Sequence, residues 1–294
     1  MSDITLLSTP TIFDSLDIAE STRHEYLSRL PKFLGWLKYN GITHDCLLDY
    51  KKYLRSRTDL GIASKNKYLA VARISLKELH RRGKIPFDLT HNVKSFQQSQ
   101  KHRVEGLTEE EIGMLCEHLQ QLADNFKTIR LRAIVSLLLF QGLRQIEICR
   151  LNINDADLAL KRLYVLGKGR DDKEPIYLHP ETIKALRAYL DASKVKDGAM
   201  FTSLLGQSKG RRLTTRGLRL IVKTLLGEVR VYKTVHGFRH YFTTQLIQRM
   251  PSELITVAKF TRHNSIQTLS IYNDTHEDEQ SNRIYVQTFN KRLA

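Results

Sequence analysis

The most constraining feature of this chain is an apolar segment near its middle. The stretch LRAIVSLLLFQGL begins at Leu131 and is apolar on nearly every face of a helix. A helix of this kind is stable when other elements bury it on all sides. The segment is also shorter than the ~20 apolar residues that a membrane-spanning helix needs. We therefore expect it to form the buried centre of a folded domain.

Charge indicates the class of partner. The chain has 294 residues, of which 41% are hydrophobic, enough for real cores in two domains. Lys and Arg number 47 against 31 Asp and Glu, a formal net charge of +16. This excess favours a polyanionic partner, with nucleic acid first and an anionic membrane second. The first twenty residues carry acidic side chains and no Lys or Arg, unlike a signal peptide, so we expect a cytoplasmic, nucleoid-associated protein.

The cysteines give no sign of a metal site. Cys46, Cys116 and Cys149 lack the CxxC spacing and have no neighbouring histidines at metal-ligand spacing. Scattered thiols in odd number are typical of a reducing compartment. The sequence also lacks a Walker loop and a GxGxxG fingerprint, and we expect neither a metal nor a cofactor.

Three helical segments are predicted in the first domain. The first opens at Thr22 and Glu25, which have capping-box spacing, and ends at Gly41. The second helical segment is DCLLDYKKYLRSR, and the third helical segment is ASKNKYLAVARISLKELHRRGKI. The third is basic at its start and regularly apolar afterwards, as expected for a helix that packs one face and turns another to phosphates, although a merely solvated basic face remains an alternative. The candidate DNA contacts on this helix are Lys65, Lys67, Arg73 and Lys77.

A polar, aperiodic stretch at residues 96–106 predicts a linker between domains at 1–95 and 107–294. Thr108 and Glu111 form a second capping box just after it. Residues 1–105 contain 18 basic and 11 acidic side chains, and the rest of the chain contains 29 basic and 20 acidic side chains. Charge shared in this way suggests that both domains grip the same duplex.

The second domain is predicted to be helical apart from one β-hairpin. Residues 163–166 and 175–178 favour strands, and the GKGRDD turn between them carries Lys168. Polar clusters elsewhere in this domain contribute further side chains suited to phosphate chemistry. With the hairpin lysine they form the set Arg144, Lys168, His236, Arg239, His263 and Tyr272. Each is unspecific alone, since helical histidines are usually structural and hairpin lysines are usually solvated, but their order is informative.

The chain resembles the tyrosine recombinase, or phage integrase, family in five stretches that follow one another in this order: GLRQIEIC, GKG, HGFRHYFTT, RH and IY. The catalytic signature of this family is Arg, Lys, His-x-x-Arg, His or Trp, and then Tyr. The core-binding domain of this family is similar to two N-terminal stretches of the chain, TRHEYLSRLPKFLGWLKYNGI and SKNKYLAVARISLKELHRRGKI. The resemblance covers roughly residues 20–280. It implies a mainly α fold, with a helical, SAM-like N-terminal core-binding domain and a mostly α catalytic domain that carries a small β-sheet or hairpin.

The resemblance implies cleavage and rejoining of double-stranded DNA through a 3′-phosphotyrosine, without metal or ATP. Arg144 and Arg239 would clamp the phosphate, because guanidinium forks fit its oxygens and stay charged. Tyr272 would be the nucleophile. A phenol with a pKa near ~10 needs a base or strong local positive charge, and His236 is the candidate base.

Three further roles follow from the same resemblance. Lys168 would protonate the leaving 5′-oxygen, although Lys173 lies close enough in sequence to be an alternative. His263 would donate to a phosphate oxygen. Glu147 would orient Arg144, at a spacing of three residues along a helix.

Two positions depart from the family pattern. Thr261 and Arg262 stand where Leu-Gly is usual, and Gln141 stands where Thr is common. If the backbone at Arg262 needs a positive φ, arginine is strained there relative to glycine. Alternatively the turn differs and Arg262 contacts DNA, so we include it among the candidate DNA-binding residues.

The resemblance leaves the biological role and assembly open. It implies a synaptic homotetramer on DNA, in which the tail HEDEQSNRIYVQTFNKRLA docks on a neighbour or packs on its own domain. Integration or excision of a mobile element, dimer resolution and DNA inversion would use the same residues. A catalytically inactive DNA-binding accessory protein and a type IB topoisomerase are the rival functions.

Overall fold

The chain separates into two compact units, Met1–Gln100 and Lys101–Ala294, in a computed structural model. The structure describes residues 10–98, 106–204, 206–263 and 269. Within the described ranges each unit has its own hydrophobic core. None of the helices in these ranges combines the length and apolar character needed to cross a bilayer.

The first unit is helical throughout its regular structure. Its elements are a 3-10 helix at Pro10–Phe13, α1 at Glu20–Asn40, α2 at Cys46–Ser56 and α3 at Ile62–Arg81. The apolar faces of the helices meet in a core that includes Phe33, Tyr50 and Leu69, all fully buried. The predicted capping box of α1 is wrong, because the helix begins two residues before Thr22 and has Ala19 at its N-cap with no side-chain hydrogen bond.

Two of the candidate DNA contacts on α3 point into the first unit. Lys65 is buried, and its Nζ donates to the carbonyl oxygen of Arg55 at 3.1 Å. The Nη2 atom of Arg73 donates to the carbonyl oxygen of Val93 at 2.5 Å. Both side chains cap backbone carbonyls in this structure, and the phosphate contacts predicted for them stay predictions.

The other two α3 candidates lie on the surface of the first unit. Lys77 is exposed, and Lys67 is exposed with its Nζ 3.0 Å from the Glu25 carboxylate. An exposed ion pair of this kind contributes only ~0–1 kcal/mol. A phosphate can therefore replace the carboxylate at little cost, and both lysines remain candidates.

The second unit is mostly helical in its described part. Its helices are α4 at Glu109–Gln121, α5 at Phe126–Leu139, α6 at Gln145–Arg150, α7 at Pro180–Ser193, α8 at Thr215–Glu228, α9 at Val235–Arg249 and α10 at Leu254–Thr261. The apolar segment forms most of α5 and lies in the core, as predicted, with Ile134 and Leu138 completely buried. The Thr108–Glu111 capping box is also confirmed, with both reciprocal hydrogen bonds present.

A small antiparallel sheet completes the second unit. Its strands are β1 at Ala156–Asp157, β2 at Arg162–Leu166 and β3 at Lys173–Tyr177, in the order β1-β2-β3. The predicted hairpin is confirmed, and Leu163 pairs with Ile176 in its register. The sequence missed β1, because a strand of two residues shows no alternation of apolar and polar side chains. Residues 167–172 form the turn that projects from this sheet.

Candidate functional site

The turn between α5 and α6 is the scaffold of the site. Gly142 has φ +55°, and a Cβ on it would lie 2.2 Å from Cδ1 of Phe242, so only glycine fits. The amide of Leu143 donates to the carbonyl oxygen of Leu137 at 3.2 Å, which closes the turn on the end of α5. As a result the next residue, Arg144, stands at the N-cap of α6.

Arg144 is held by a buried carboxylate. Its backbone amide donates to Oε2 of Glu147 and its Nη1 donates to Oε1, both at 2.8 Å. Burial opposes ionisation of Glu147, but the positive charges of Arg262 and Arg144 and the Arg144 amide outweigh it, so the pKa of this carboxyl lies below its usual value. The predicted pairing of Arg144 with Glu147 is therefore present. Arg144 itself remains 29% exposed and can reach a ligand.

Arg239 enters the site from the first turns of α9. The side chain is only 2% exposed. Its Nη1 donates to the carbonyl oxygen of Gly142 at 2.7 Å, and its Nη2 donates to that of Thr261. These contacts use two of the five N–H donors of the guanidinium. They fix the planar group between the α5–α6 turn and the end of α10. His236 lies three residues earlier, on the same face of the helix, and is exposed.

His263 follows α10 and lies beside Arg239. Its Nε2 is 3.4 Å from the Nη2 of Arg239, and its Nδ1 is 2.6 Å from the Oγ1 of Thr261. A guanidinium only donates, so Nε2 accepts and the proton is on Nδ1. The Thr261 hydroxyl can receive it because its own proton goes to the carbonyl oxygen of Val257, at 2.8 Å. Burial, followed by the charges of Arg239 and Arg144, lowers the pKa of His263 to about 3.

The neutral state of His263 changes its expected role. The sequence predicts a donor to a phosphate oxygen, but in this structure Nε2 is an acceptor. Donation becomes possible when a phosphate supplies negative charge beside Arg239 and favours protonation of the ring. We therefore expect His263 to take up a proton when an anionic group binds beside Arg239.

The protonation of His263 can be measured directly. We expect the imidazole to stay neutral from pH ~6.5, where an unperturbed histidine takes up a proton, down to about 3. In that window the unfolded chain binds a proton that the folded protein does not, so His263 lowers the free energy of unfolding as the pH falls. Side-chain ¹⁵N NMR reports both the charge and the tautomer. Titration of the His263 ring near pH ~6.5 in the free protein would contradict this prediction.

Arg262 adopts the backbone conformation considered for it from the sequence. Its φ of 53° and ψ of 46° lie in the left-handed region. Its side chain is 7% exposed, and Nη2 donates to the Oε2 of Glu147 and to the carbonyl oxygen of Gly142, each at 3.3 Å. The guanidinium faces the interior of the site. The direct DNA contact predicted for Arg262 stays a prediction.

The β-hairpin brings a lysine to the same site. Arg144, Glu147 and Arg262 line a pocket of about 220 Å³ together with residues of the β2–β3 hairpin, Lys168 among them. Lys168 is exposed, whereas the Nζ of Lys173 is paired with the carboxylate of Asp155. The geometry therefore favours Lys168 over Lys173 as the lysine that reaches a phosphate bound beside Arg144.

The remaining residue of the predicted set, Tyr272, lies outside the described residues, as does the tail that follows it. The described part of the site holds Arg144, Arg239 and His263 within one network of hydrogen bonds, with Lys168 on the rim of the adjoining pocket. Such a cluster of fixed donors suits an anionic, tetrahedral group.

A model of the phage integrase family matches residues 105–279. This chain belongs to the phage integrase family. Its relatives include the tyrosine recombinase XerC of Leptospira interrogans serogroup Icterohaemorrhagiae serovar copenhageni (strain Fiocruz L1-130), which is 29% identical over 76% of this chain and 71% of the relative. XerC of Roseiflexus castenholzii (strain DSM 13941 / HLO8) is 28% identical over 91% of this chain and 87% of the relative.

Solved structures of integrase-family proteins confirm the predicted fold class. The XerH site-specific recombinase bound to palindromic difH substrate has a TM-score of 0.72 and 22% identity, over 92% of this chain and 80% of that chain. A lambda integrase dimer bound to a COC′ core site has a TM-score of 0.67 and 17% identity, over 92% of this chain and 76% of that chain. At these identities the likeness concerns the fold alone.

Two contributors to this integrase-family site were noted in the sequence only as departures. Thr261 supplies the hydroxyl that holds the Nδ1 proton of His263. Gln141 is buried, and its amide donates to the carbonyl oxygen of Tyr177 at 2.9 Å while its Oε1 accepts from the amide of His179 at 2.8 Å. These bonds tie the α5–α6 turn to the end of β3. In both cases the signal was a polar side chain at a position where the family pattern has another residue.

Proposed function

We propose that this protein is an active site-specific DNA recombinase that cleaves and rejoins double-stranded DNA through a 3′-phosphotyrosine at Tyr272. The observation that carries the proposal is the meeting of Arg144, Arg239 and His263, which come from three separate parts of the chain, in one hydrogen-bonded cluster. Arg144 also keeps an exposed face, and Lys168 lies at the rim of the adjoining pocket. Residues that only stabilise the fold would need neither feature.

In the proposed cleavage step the phenolic oxygen of Tyr272 attacks phosphorus in line with the leaving 5′-oxygen. Arg144 and Arg239 hold the non-bridging oxygens, on which negative charge accumulates. Removing one such preorganised donor typically costs ~10²–10³ in rate. His236 accepts the phenolic proton, and Lys168 gives a proton to the departing 5′-oxygen.

The proposed rejoining step reverses the first. The tyrosyl ester keeps the energy of the broken phosphodiester, so the 5′-hydroxyl of a partner strand displaces Tyr272 without ATP. Exchange between two duplexes breaks four strands, and one nucleophile per strand requires four subunits. We therefore propose a homotetramer on double-stranded DNA, with the C-terminal tail docked on a neighbouring subunit. Whether the reaction integrates a mobile element or resolves dimers depends on the DNA sites.

Covalent capture tests the proposed function. Nicked duplexes with randomised sequence are incubated with the protein, denatured in SDS, and the DNA that stays attached is sequenced to define a site. Duplexes carrying that site are then assayed for strand exchange and for relaxation of supercoils. Adducts with strand exchange support the proposal. Relaxation without exchange would favour a type IB topoisomerase, and DNA binding without adducts would favour an inactive accessory protein.

The role of Lys168 as general acid gives a separate prediction. We expect Lys168→Ala to slow cleavage by ~10²–10⁴-fold, the usual contribution of a positioned acid. A substrate with sulfur in place of the leaving 5′-oxygen needs no acid, because a thiolate is a good leaving group, and should restore most of the rate. Lys173→Ala is the matched control within the same hairpin. If the sulfur-containing substrate restored the cleavage rate of Lys173→Ala and not that of Lys168→Ala, the general acid would be Lys173.

A further inference from the structure

Arg262 occupies an unfavourable backbone conformation that its side chain must offset. Its φ of 53° places an L-residue with a long side chain where glycine is preferred. The side chain is nevertheless almost completely buried. A strained arginine that is also buried requires contacts strong enough to hold it. Those contacts identify what the residue does.

The guanidinium of Arg262 joins two elements of the site. It donates to the Oε2 of Glu147 on α6 at 3.3 Å and to the carbonyl oxygens of Gln141 and Gly142 in the α5–α6 turn at 3.3–3.4 Å. In return, the Nη2 of Arg144 donates to the carbonyl oxygen of Arg262 at 3.3 Å. The two arginines therefore hold each other through one shared carboxylate and one backbone carbonyl.

The shared carboxylate explains why a second cation matters. Glu147 is completely buried, and a buried carboxylate needs charge partners for both of its oxygens. Oε1 accepts from the Arg144 side chain, whereas Oε2 accepts from the Arg144 amide and from Arg262. Without Arg262 the full charge of Glu147 would fall on Arg144 and draw its guanidinium inward, away from the pocket.

We propose that Arg262 is a positioning residue of the recombinase reaction. It takes up part of the Glu147 charge, so that Arg144 keeps donors directed to the scissile phosphate. It also fixes the end of α10, and with it His263, against the α5–α6 turn that carries Arg144. This inference rests on the proposed function for its catalytic consequence, but the positional effect on Arg144 stands on the contacts alone.

Three variants test the inference. Arg262→Gly removes the guanidinium and relieves the backbone strain. Arg230→Gly is the matched control, because Arg230 also has a positive φ, 57°, but is exposed after α8. Arg262→Lys keeps the charge but lacks the fork that bridges the carboxylate and the carbonyls. The measurements are the single-turnover cleavage rate at saturating DNA, the Kd at the same salt concentration, and thermal unfolding to confirm folding.

We expect Arg262→Gly to slow cleavage by ~10²-fold, the typical cost of misplacing a group by about 1 Å. DNA affinity should match that of Arg230→Gly, which loses the same charge, and Arg230→Gly should cleave at the wild-type rate. Arg262→Lys should recover only part of the rate. Wild-type cleavage by Arg262→Gly, full recovery by Arg262→Lys, or an equal loss in Arg230→Gly would each overturn the inference.

A second readout separates this inference from the proposed function. The guanidinium ¹H–¹⁵N signals of Arg144, assigned with Arg144→Lys, report its hydrogen bonding without any DNA. They should shift or broaden in Arg262→Gly and stay unchanged in Arg230→Gly. If the wild-type protein forms no covalent adduct, the proposed function fails while this shift still supports the positional effect. Unchanged Arg144 signals in Arg262→Gly would overturn the positional effect itself.

Discussion

Replacing Arg239 with lysine is expected to slow DNA cleavage by ~10²–10³-fold, the usual cost of losing one preorganised donor to a developing charge. The charge is kept, but the planar fork is lost. Arg239 donates at once to the carbonyl oxygens of Gly142 and Thr261, and a single ammonium cannot span both acceptors and a phosphate. A carbonyl left without a donor in this buried place also destabilises the fold by ~1–3 kcal/mol.

The matched control for Arg239→Lys is Arg249→Lys, at the exposed C-terminal end of the same helix. Rates are compared in single turnover at saturating DNA, at a temperature below the unfolding transition of both variants. Arg249→Lys should cleave like the wild type. A wild-type rate for Arg239→Lys would show that the residue provides only charge, and the proposed phosphate clamp would then need revision.

The second large effect is expected for Gly142→Ala. A left-handed conformation costs a non-glycine residue ~1–2 kcal/mol, and forcing a methyl group into a packed core costs a further ~1–3 kcal/mol. At Gly142 both apply, since the new Cβ would lie 2.2 Å from the ring of Phe242. The sum predicts a loss of ~2–5 kcal/mol in the free energy of unfolding. Cleavage should fall as well, because the carbonyl that anchors Arg239 and Arg262 must move.

Gly210→Ala separates the two contributions to the Gly142→Ala effect. Gly210 also has a positive φ, +80°, but a Cβ there would meet nothing within 4 Å. We expect only the conformational cost, ~1–2 kcal/mol, and no change in cleavage. Urea unfolding followed by circular dichroism measures both variants. Equal losses at the two positions would mean that the Phe242 ring yields without cost and that the turn is less constrained than its geometry indicates.

The sequence predicted those elements whose signal is local and periodic. The apolar run of α5, the capping box at Thr108 and the β2–β3 hairpin each follow from the spacing of a few neighbouring residues, and each is present. The predicted cap of α1 failed because the helix begins at Glu20 behind Ala19, an N-cap residue whose side chain cannot form a capping hydrogen bond. Short elements such as β1 carry too few residues for a pattern.

The direction of a polar side chain depends on partners that are distant in sequence, and a local sequence pattern does not contain them. Arg262 was a candidate DNA contact; besides the nearby carbonyl oxygen of Phe260, its guanidinium donates to Gln141, Gly142 and Glu147, which lie more than a hundred residues earlier. Lys65 was likewise a candidate phosphate contact, and in the structure its Nζ donates to the carbonyl oxygen of Arg55 near the end of α2. The resemblance to the integrase family placed Arg144 and Arg239 in one signature, and the folded turn at Gly142 brings their guanidinium groups to a common site.

The most direct test of the account is the identity of the residue that becomes attached to DNA. Wild-type protein, Tyr272→Phe and the tail control Tyr285→Phe are incubated with a nicked duplex carrying the captured site, denatured in SDS and digested with trypsin. Mass spectrometry should find the 3′-phosphoryl nucleotide on the peptide containing Tyr272, in the wild type and in Tyr285→Phe, and no adduct in Tyr272→Phe. An adduct that persists in Tyr272→Phe, or one mapped to another residue, would contradict the proposed nucleophile and with it the mechanism.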